Sequence, residues 1–111
     1  MTKEYIKNYL SEHKDEFFQK FCITKLGLFG SYARDEAHKN SDIDILVELE
    51  NNLTDIHDKK TIFKQTLENF FNLKVDIARE EYLRPLTKKE ILSEVEYLNK
   101  IKSIINLEPV K

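Results

Sequence analysis

The sequence predicts an α+β domain, a two-layer arrangement in which helices pack on a small mixed sheet. Three observations predict it. Apolar residues recur at helical spacing in three long segments, short alternating or apolar runs lie between them, and the two kinds of segment interleave along 111 residues. A chain of this length is expected to form one domain, residues 1–111, and no repeat, low-complexity tract or linker divides it.

Each element has its own signal. Residues 3–20 place Tyr5, Ile6, Tyr9, Leu10, Phe17 and Phe18 on one amphipathic helix, with Thr2 or Ser11 as its capping residue. Residues 22–29, CITKLGLF, read as a strand that ends at Gly30, and residues 32–38 as a short helix. Residues 43–49, IDILVEL, alternate early and read as a second strand. Leu53, Ile56, Phe63, Leu67 and Phe70 share one face of a helix that runs to Phe71. Residues 73–78, LKVDIA, form a third strand, and Pro85 sits in the connection after it. Thr87 caps a last helix, 87–105, with Ile91, Leu92, Val95, Leu98, Ile101 and Ile105 along one stripe; Pro109 ends the order. The expected sheet has three strands or slightly more. Phe17, Phe18, Phe63, Phe70 and Phe71 are assigned to the core, and Tyr97, Leu98 and Ile101 either pack inward or meet a partner.

Composition excludes several functions. The charged share is 34% and the hydrophobic share 41%, as in a globular domain with a well-solvated exterior. A net charge of -2 argues against direct nucleic-acid binding by bulk electrostatics. No apolar run approaches the roughly 20 residues that span a bilayer, and the N-terminal segment mixes acids and bases without a signal core. A cytoplasmic protein is expected. Cys22 is the lone cysteine and reads as a buried or half-buried thiol. His13, His38 and His57 show no metal-ligand spacing, and Lys59, Lys60, Lys88 and Lys89 read as solvated helix faces.

The chemistry is concentrated in residues 30–48, GSYARDEAHKNSDIDILVE. Gly30 follows a strand, where glycine permits a tight turn and close approach of a ligand to the backbone. Ser31 offers a hydroxyl and an N–H at a helix start, where free amides favour phosphate; an ordinary strand-to-helix turn has the same residues. Ten residues later Asp42 and Asp44 stand two apart on a strand and therefore share a face, with Ile43, Ile45 and Val47 on the other. Two neighbouring carboxylates repel unless a cation lies between them, and an all-oxygen donor set suits Mg²⁺. A solvated strand edge explains the isolated pair equally well. Asp76, between Val75 and Ile77, joins the same face if those two residues share the core of Ile43 and Ile45; otherwise it is a surface acid paired with Lys74 or Arg79. Gly-Ser and Asp-x-Asp at this spacing arise by chance on the order of once in a thousand chains this size.

These residues resemble the nucleotidyltransferase superfamily of DNA polymerase beta, whose signature is Gly-Ser, a spacer, Asp-x-Asp and a later acid on a strand. Together with KVDIA and LRPLTKKEILSEVEYL, they are most similar to the minimal nucleotidyltransferases that act as antitoxins beside HEPN-domain toxins. The resemblance implies a nucleotidyltransferase fold, with Gly30 and Ser31 in the triphosphate-binding turn. It implies that Asp42 and Asp44 are the metal-binding pair and Asp76 the third carboxylate, which binds the catalytic metal and helps activate the attacking hydroxyl. Arg34 matches a basic residue that assists the phosphates, an ordinary surface pairing with an acid being its other reading. Two Mg²⁺ ions, ATP as substrate, AMP transfer to a tyrosine of a HEPN RNase toxin, and a hetero-oligomer with that toxin are also implied. A steric antitoxin without catalysis and a small-molecule, antibiotic-modifying nucleotidyltransferase are the alternatives. One departure is Asp35, where many relatives carry glycine.

Overall fold

The computed structural model describes residues 1–98. Two helices open the chain, α1 at Lys3–Glu12 and α2 at Lys14–Phe21. The single helix expected over 3–20 is thus broken at His13, whose backbone leaves the helical region (φ -106°, ψ 7°) while its ring Nδ1 lies 2.9 Å from the Tyr9 carbonyl. The break lets each helix aim its own apolar pair at the sheet: Ile6 and Leu10 from α1, Phe17 and Phe21 from α2. Of the two caps considered, Thr2 serves, its Oγ1 accepting from the Tyr5 N–H at 3.1 Å. Cys22 ends α2 in the left-handed region at φ 58° and is half-buried, as expected.

Strand β1, Ile23–Phe29, leads into a single helical turn, α3, Gly30–Ala33; this turn starts earlier and is shorter than the helix expected at 32–38. Strand β2 occupies Ile43–Leu49, α4 Ile56–Phe71 and β3 Val75–Arg79. A 3-10 turn at Glu80–Tyr82 then precedes α5, Pro85–Glu94. Pro85 is not in a connection: it is the first residue of α5, where its missing N–H costs no hydrogen bond, and Arg84 rather than Thr87 is the cap.

The last expected helix is also shorter than 87–105. Val95 turns to extended backbone (ψ 140°), and Glu96–Tyr97 form a fourth strand, β4. Val95 and Leu98 therefore do not lie on a helix, while Ile101, Ile105 and Pro109 fall outside the described residues. Periodicity alone extends a helix through this stretch; pairing to β1 overrides it, with Gly27 opposite Tyr97 and Leu28 opposite Glu96.

The sheet order is β3-β2-β1-β4, with β2 and β3 parallel and the other neighbours antiparallel. Leu26 and Leu28 of β1, Ile43, Ile45 and Val47 of β2, and Val75 of β3 face the helices. Phe63, Leu67 and Phe71, each four residues apart on α4, complete that core. Phe18 and Phe70, expected in the core, are instead 47% and 46% exposed. Tyr97 is half-buried in β4 and Leu98 is buried. No helix among the described residues is long and apolar enough to cross a membrane.

Leu67 is fully buried at the centre of α4. Leu67→Ala is expected to cost about 3 kcal/mol of unfolding free energy, measured by urea titration. Ile62→Ala on the same helix, where the side chain is largely exposed, is expected to change stability by less than about 0.5 kcal/mol.

Candidate active site

The site lies where β1, β2 and β3 end or begin together. Asp42 immediately precedes β2, and Asp44 is its second residue. In the parallel pairing of β2 with β3, Asp44 is directly opposite Asp76, just as Ile43 is opposite Val75. Register neighbours on adjacent strands point to the same face, so burial of Ile43, Ile45 and Val75 places Asp44 and Asp76 together on the other. Neither Asp42 nor Asp76 forms an ion pair among the described residues. Arg79, considered as a partner of Asp76, pairs with Glu48 at 3.1 Å and Glu81 at 3.3 Å.

The Asp44 carboxyl is pushed up to about 6, first by burial, then by the charges of Asp76 and Asp42; Arg34 opposes the rise. Negative charge at this point is therefore offset only in part, by Arg34, among the described residues. Among the described residues no three acidic, histidine or cysteine side chains already converge as a metal cluster. The oxygen donors nonetheless suit a hard divalent cation, which commonly takes one or two carboxylates together with waters and substrate phosphates.

Gly30 stands against Asp44 from the β1 side. Its φ is +77°, a region that favours glycine. A Cβ on Gly30 would overlap Asp44 Oδ2 and lie 2.9 Å from its Cγ. Glycine is thus required twice, by backbone conformation and by contact. Ser31 follows at the start of α3, and its hydroxyl makes no hydrogen bond among the described residues. Gly30, Ser31, Arg34, Asp44, Ile91 and Glu94 line a cleft of about 590 Å³.

Arg34 has the acid pairing weighed for it, and it also lines this cleft. Its Nε donates to Glu36 at 2.9 Å, and its Nη1 reaches both oxygens of Glu94 at 3.0 and 3.2 Å. Asp35 has φ 60°, left-handed backbone that glycine prefers and aspartate tolerates, which explains the substitution noted there. Its carboxylate lies 3.4 Å from Lys3 Nζ and does not line the cleft.

Glu94 was not legible as a site residue. It accepts from the Gly30 N–H at 2.7 Å as well as pairing with Arg34, across a separation of about sixty residues that no local pattern encodes. A larger depression of about 850 Å³, lined by Lys25, Glu48, Glu80, Glu81 and Lys88, lies at the other end of β2. Part of its charge is already paired: Lys25 holds Glu80 at 3.0 Å, and Glu48 holds Arg79. The Asp44 carboxylate beside a glycine turn marks the smaller cleft as the candidate site; Asp42 and Asp76 stand outside its lining, Asp76 as the register neighbour of Asp44.

A glycine-serine turn facing carboxylates on two adjacent strands defines a class, and comparison with known proteins gives the same one. Residues 10–98 match the model of the nucleotidyltransferase domain, and the chain belongs to this family of nucleotidyltransferase enzymes. Among curated proteins it is similar to the protein adenylyltransferase MntA of Thermococcus cleftensis, with 36% identity over 98 residues covering 88% of this chain and 97% of the relative. Among solved structures it resembles one assigned as a minimal nucleotidyltransferase, at TM-score 0.71 and 29% identity, covering 86% of this chain and 95% of the other. The fold also matches the tri-AMPylated HEPN toxin complex with MNT antitoxin from Shewanella oneidensis, at TM-score 0.58 and 16% identity, covering 94% and 83%.

The raised Asp44 carboxyl has a consequence for stability. The native state keeps that proton up to about pH 6, whereas an unfolded aspartate releases it near pH 4. Stability is therefore lost as pH rises through this window. Asp44→Asn removes the strained charge. In the absence of divalent cations the variant is expected to be more stable than the native protein by about 1–2 kcal/mol at pH 7.5, with the gain vanishing near pH 4. Thermal unfolding at the two pH values reads this directly; a variant less stable at pH 7.5 would contradict it.

Proposed function

We propose that the chain is a Mg²⁺-dependent protein adenylyltransferase that transfers AMP from ATP to a tyrosine of a HEPN-domain RNase toxin and so acts as its antitoxin. The observation that carries the reading is the register of Asp44 against Asp76 beside the Gly30-Ser31 turn, with negative charge that Arg34 offsets only in part among the described residues. The similarity to a protein adenylyltransferase supports the acceptor class.

In this reading Asp42, Asp44 and Asp76 hold Mg²⁺, which would supply Lewis-acid charge at the transferring phosphate and favour ionisation of the attacking hydroxyl. The Ser31 hydroxyl and the turn amides that follow Gly30, whose own N–H is held by Glu94, hold the departing phosphates. Arg34, paired with Glu36 and Glu94, offers its remaining Nη2 donors to the phosphates. The tyrosine oxygen bonds to the α-phosphorus, the bond from that phosphorus to the bridging oxygen breaks, and pyrophosphate leaves. In this reading Asp76 orients the attacking hydroxyl and takes its proton as the new bond forms. Positioning and charge stabilisation account for the rate, with no covalent intermediate on the protein. The toxin loses activity because its tyrosine now carries a bulky anion.

Incubation of the purified chain with Mg²⁺, α-labelled ATP and the protein encoded beside it tests this. Label is expected on the neighbouring protein, and Asp42→Asn or Asp44→Asn is expected to reduce it at least about 100-fold while the fold stays intact by circular dichroism. Full activity of the double variant would sink the proposal. No label with tight binding and toxin inhibition would favour the steric antitoxin. No label and no binding would leave the small-molecule nucleotidyltransferase.

A further inference from the structure

The carboxylate of Glu94 sits where the glycine turn, Arg34 and the last helix meet. One oxygen takes the Gly30 N–H at 2.7 Å, and both lie within 3.2 Å of Arg34 Nη1. Glu36 holds the same guanidinium at Nε. Two acids thus splint a side chain that is otherwise 44% exposed. The Nη2 edge and the Ser31 hydroxyl are left without hydrogen bonds among the described residues. An unsplinted arginine loses rotamer freedom when a ligand orders it. A splinted one has already lost it.

The position of Glu94 is itself fixed from several sides. It is the last residue of α5, two before β4. Strand β4 closes on β1 over Gly27, where an added Cβ would lie 2.7 Å from Val95 Cγ2 and 3.1 Å from Tyr97 Cδ1. Lys3 and Lys7 of α1 grip Glu96 at 2.9 and 2.7 Å. The absence of a side chain at Gly27 therefore lets β4 come close, and β4 delivers Glu94 to the Gly30 turn.

We propose that Glu94 is a positioning residue for nucleotide binding: it holds the Gly30 turn and Arg34 in the arrangement that receives the phosphates. This rests on the reading of that turn as the phosphate site. A carboxylate beside a phosphate site also repels the ligand, so two effects of opposite sign compete. Positioning prevails because the Glu94 carboxylate is tied up by the Gly30 N–H and by Arg34, which it shares with Glu36, and because the donors left free, Ser31 and Nη2, are not the ones Glu94 occupies.

Calorimetric titration of the full chain with Mg²⁺ and an ATP analogue blocked between the α- and β-phosphorus tests this without an acceptor. Glu94→Ala loses both bonds and is expected to weaken binding about tenfold or more; Glu94→Gln keeps an acceptor for Gly30 and is expected to weaken it about threefold. In an Arg34→Ala background the Glu94→Gln step is expected to add nothing, the signature of action through Arg34. Tighter binding by Glu94→Gln would overturn the inference and make Glu94 a competitor of the phosphates. Unchanged affinity in Glu94→Ala, or an equal loss with Arg34 absent, would overturn it as well and reduce Glu94 to a fold contact. If the native chain binds no nucleotide, the phosphate-site reading falls first and takes this inference with it.

Discussion

Like charges gathered at one end of a sheet repel, and the rest of this fold serves to hold them there. Asp44 and Asp76 face each other across the β2–β3 pairing, with Asp42 one step before it. The pairing cannot relax by a one-residue slip, because that would turn Ile43, Ile45 and Val75 out of the core. The apolar layer beneath α1, α2 and α4 therefore fixes the register against electrostatic opposition. The elevated Asp44 carboxyl reflects its burial first and then the charges of Asp76 and Asp42. It also explains why a divalent cation is a natural complement to the site: it would relieve an interaction that folding alone leaves unfavourable.

The chain has two glycines, and both act on the same few ångströms. Gly30 adopts a left-handed conformation and leaves room for the Asp44 carboxylate. Gly27 leaves room for Val95 and Tyr97, so that β4 can close on β1 and bring Glu94 to the turn. One glycine shapes the cleft directly, and the other shapes it through a strand about seventy residues away. The low identity at which the overall fold is shared with solved nucleotidyltransferase structures fits such a division. The apolar frame tolerates many sequences of suitable volume, while the few residues at the strand ends face steric and electrostatic conditions that few side chains meet.

Much of this was legible in one dimension. Strand β2 appears where alternation put it, α4 keeps its apolar spacing from Ile56 onward while Leu53, expected on it, lies before it, and the shared face of Asp44 and Asp76 follows from the alternation of strand side chains. Errors fell where local signals were ambiguous. His13 interrupts a continuous helical stripe because two short helices pack on the sheet at their own angles. Phe18 and Phe70 obey helical spacing yet remain largely in solvent. Pro85, read as a loop residue, starts a helix, since proline suits a first turn as well as a connection.

The sequence by itself determined the α+β class, the first three strands, the glycine-serine turn and the candidate acids, because period and spacing are properties of consecutive residues. Only the tertiary structure decided that Asp44 and Asp76 are direct neighbours, that Val95 to Leu98 leave the helix to pair with β1, and that Glu94 grips Gly30 and Arg34. These depend on how distant segments close around a shared core, and no local pattern in the chain encodes which partner each will meet.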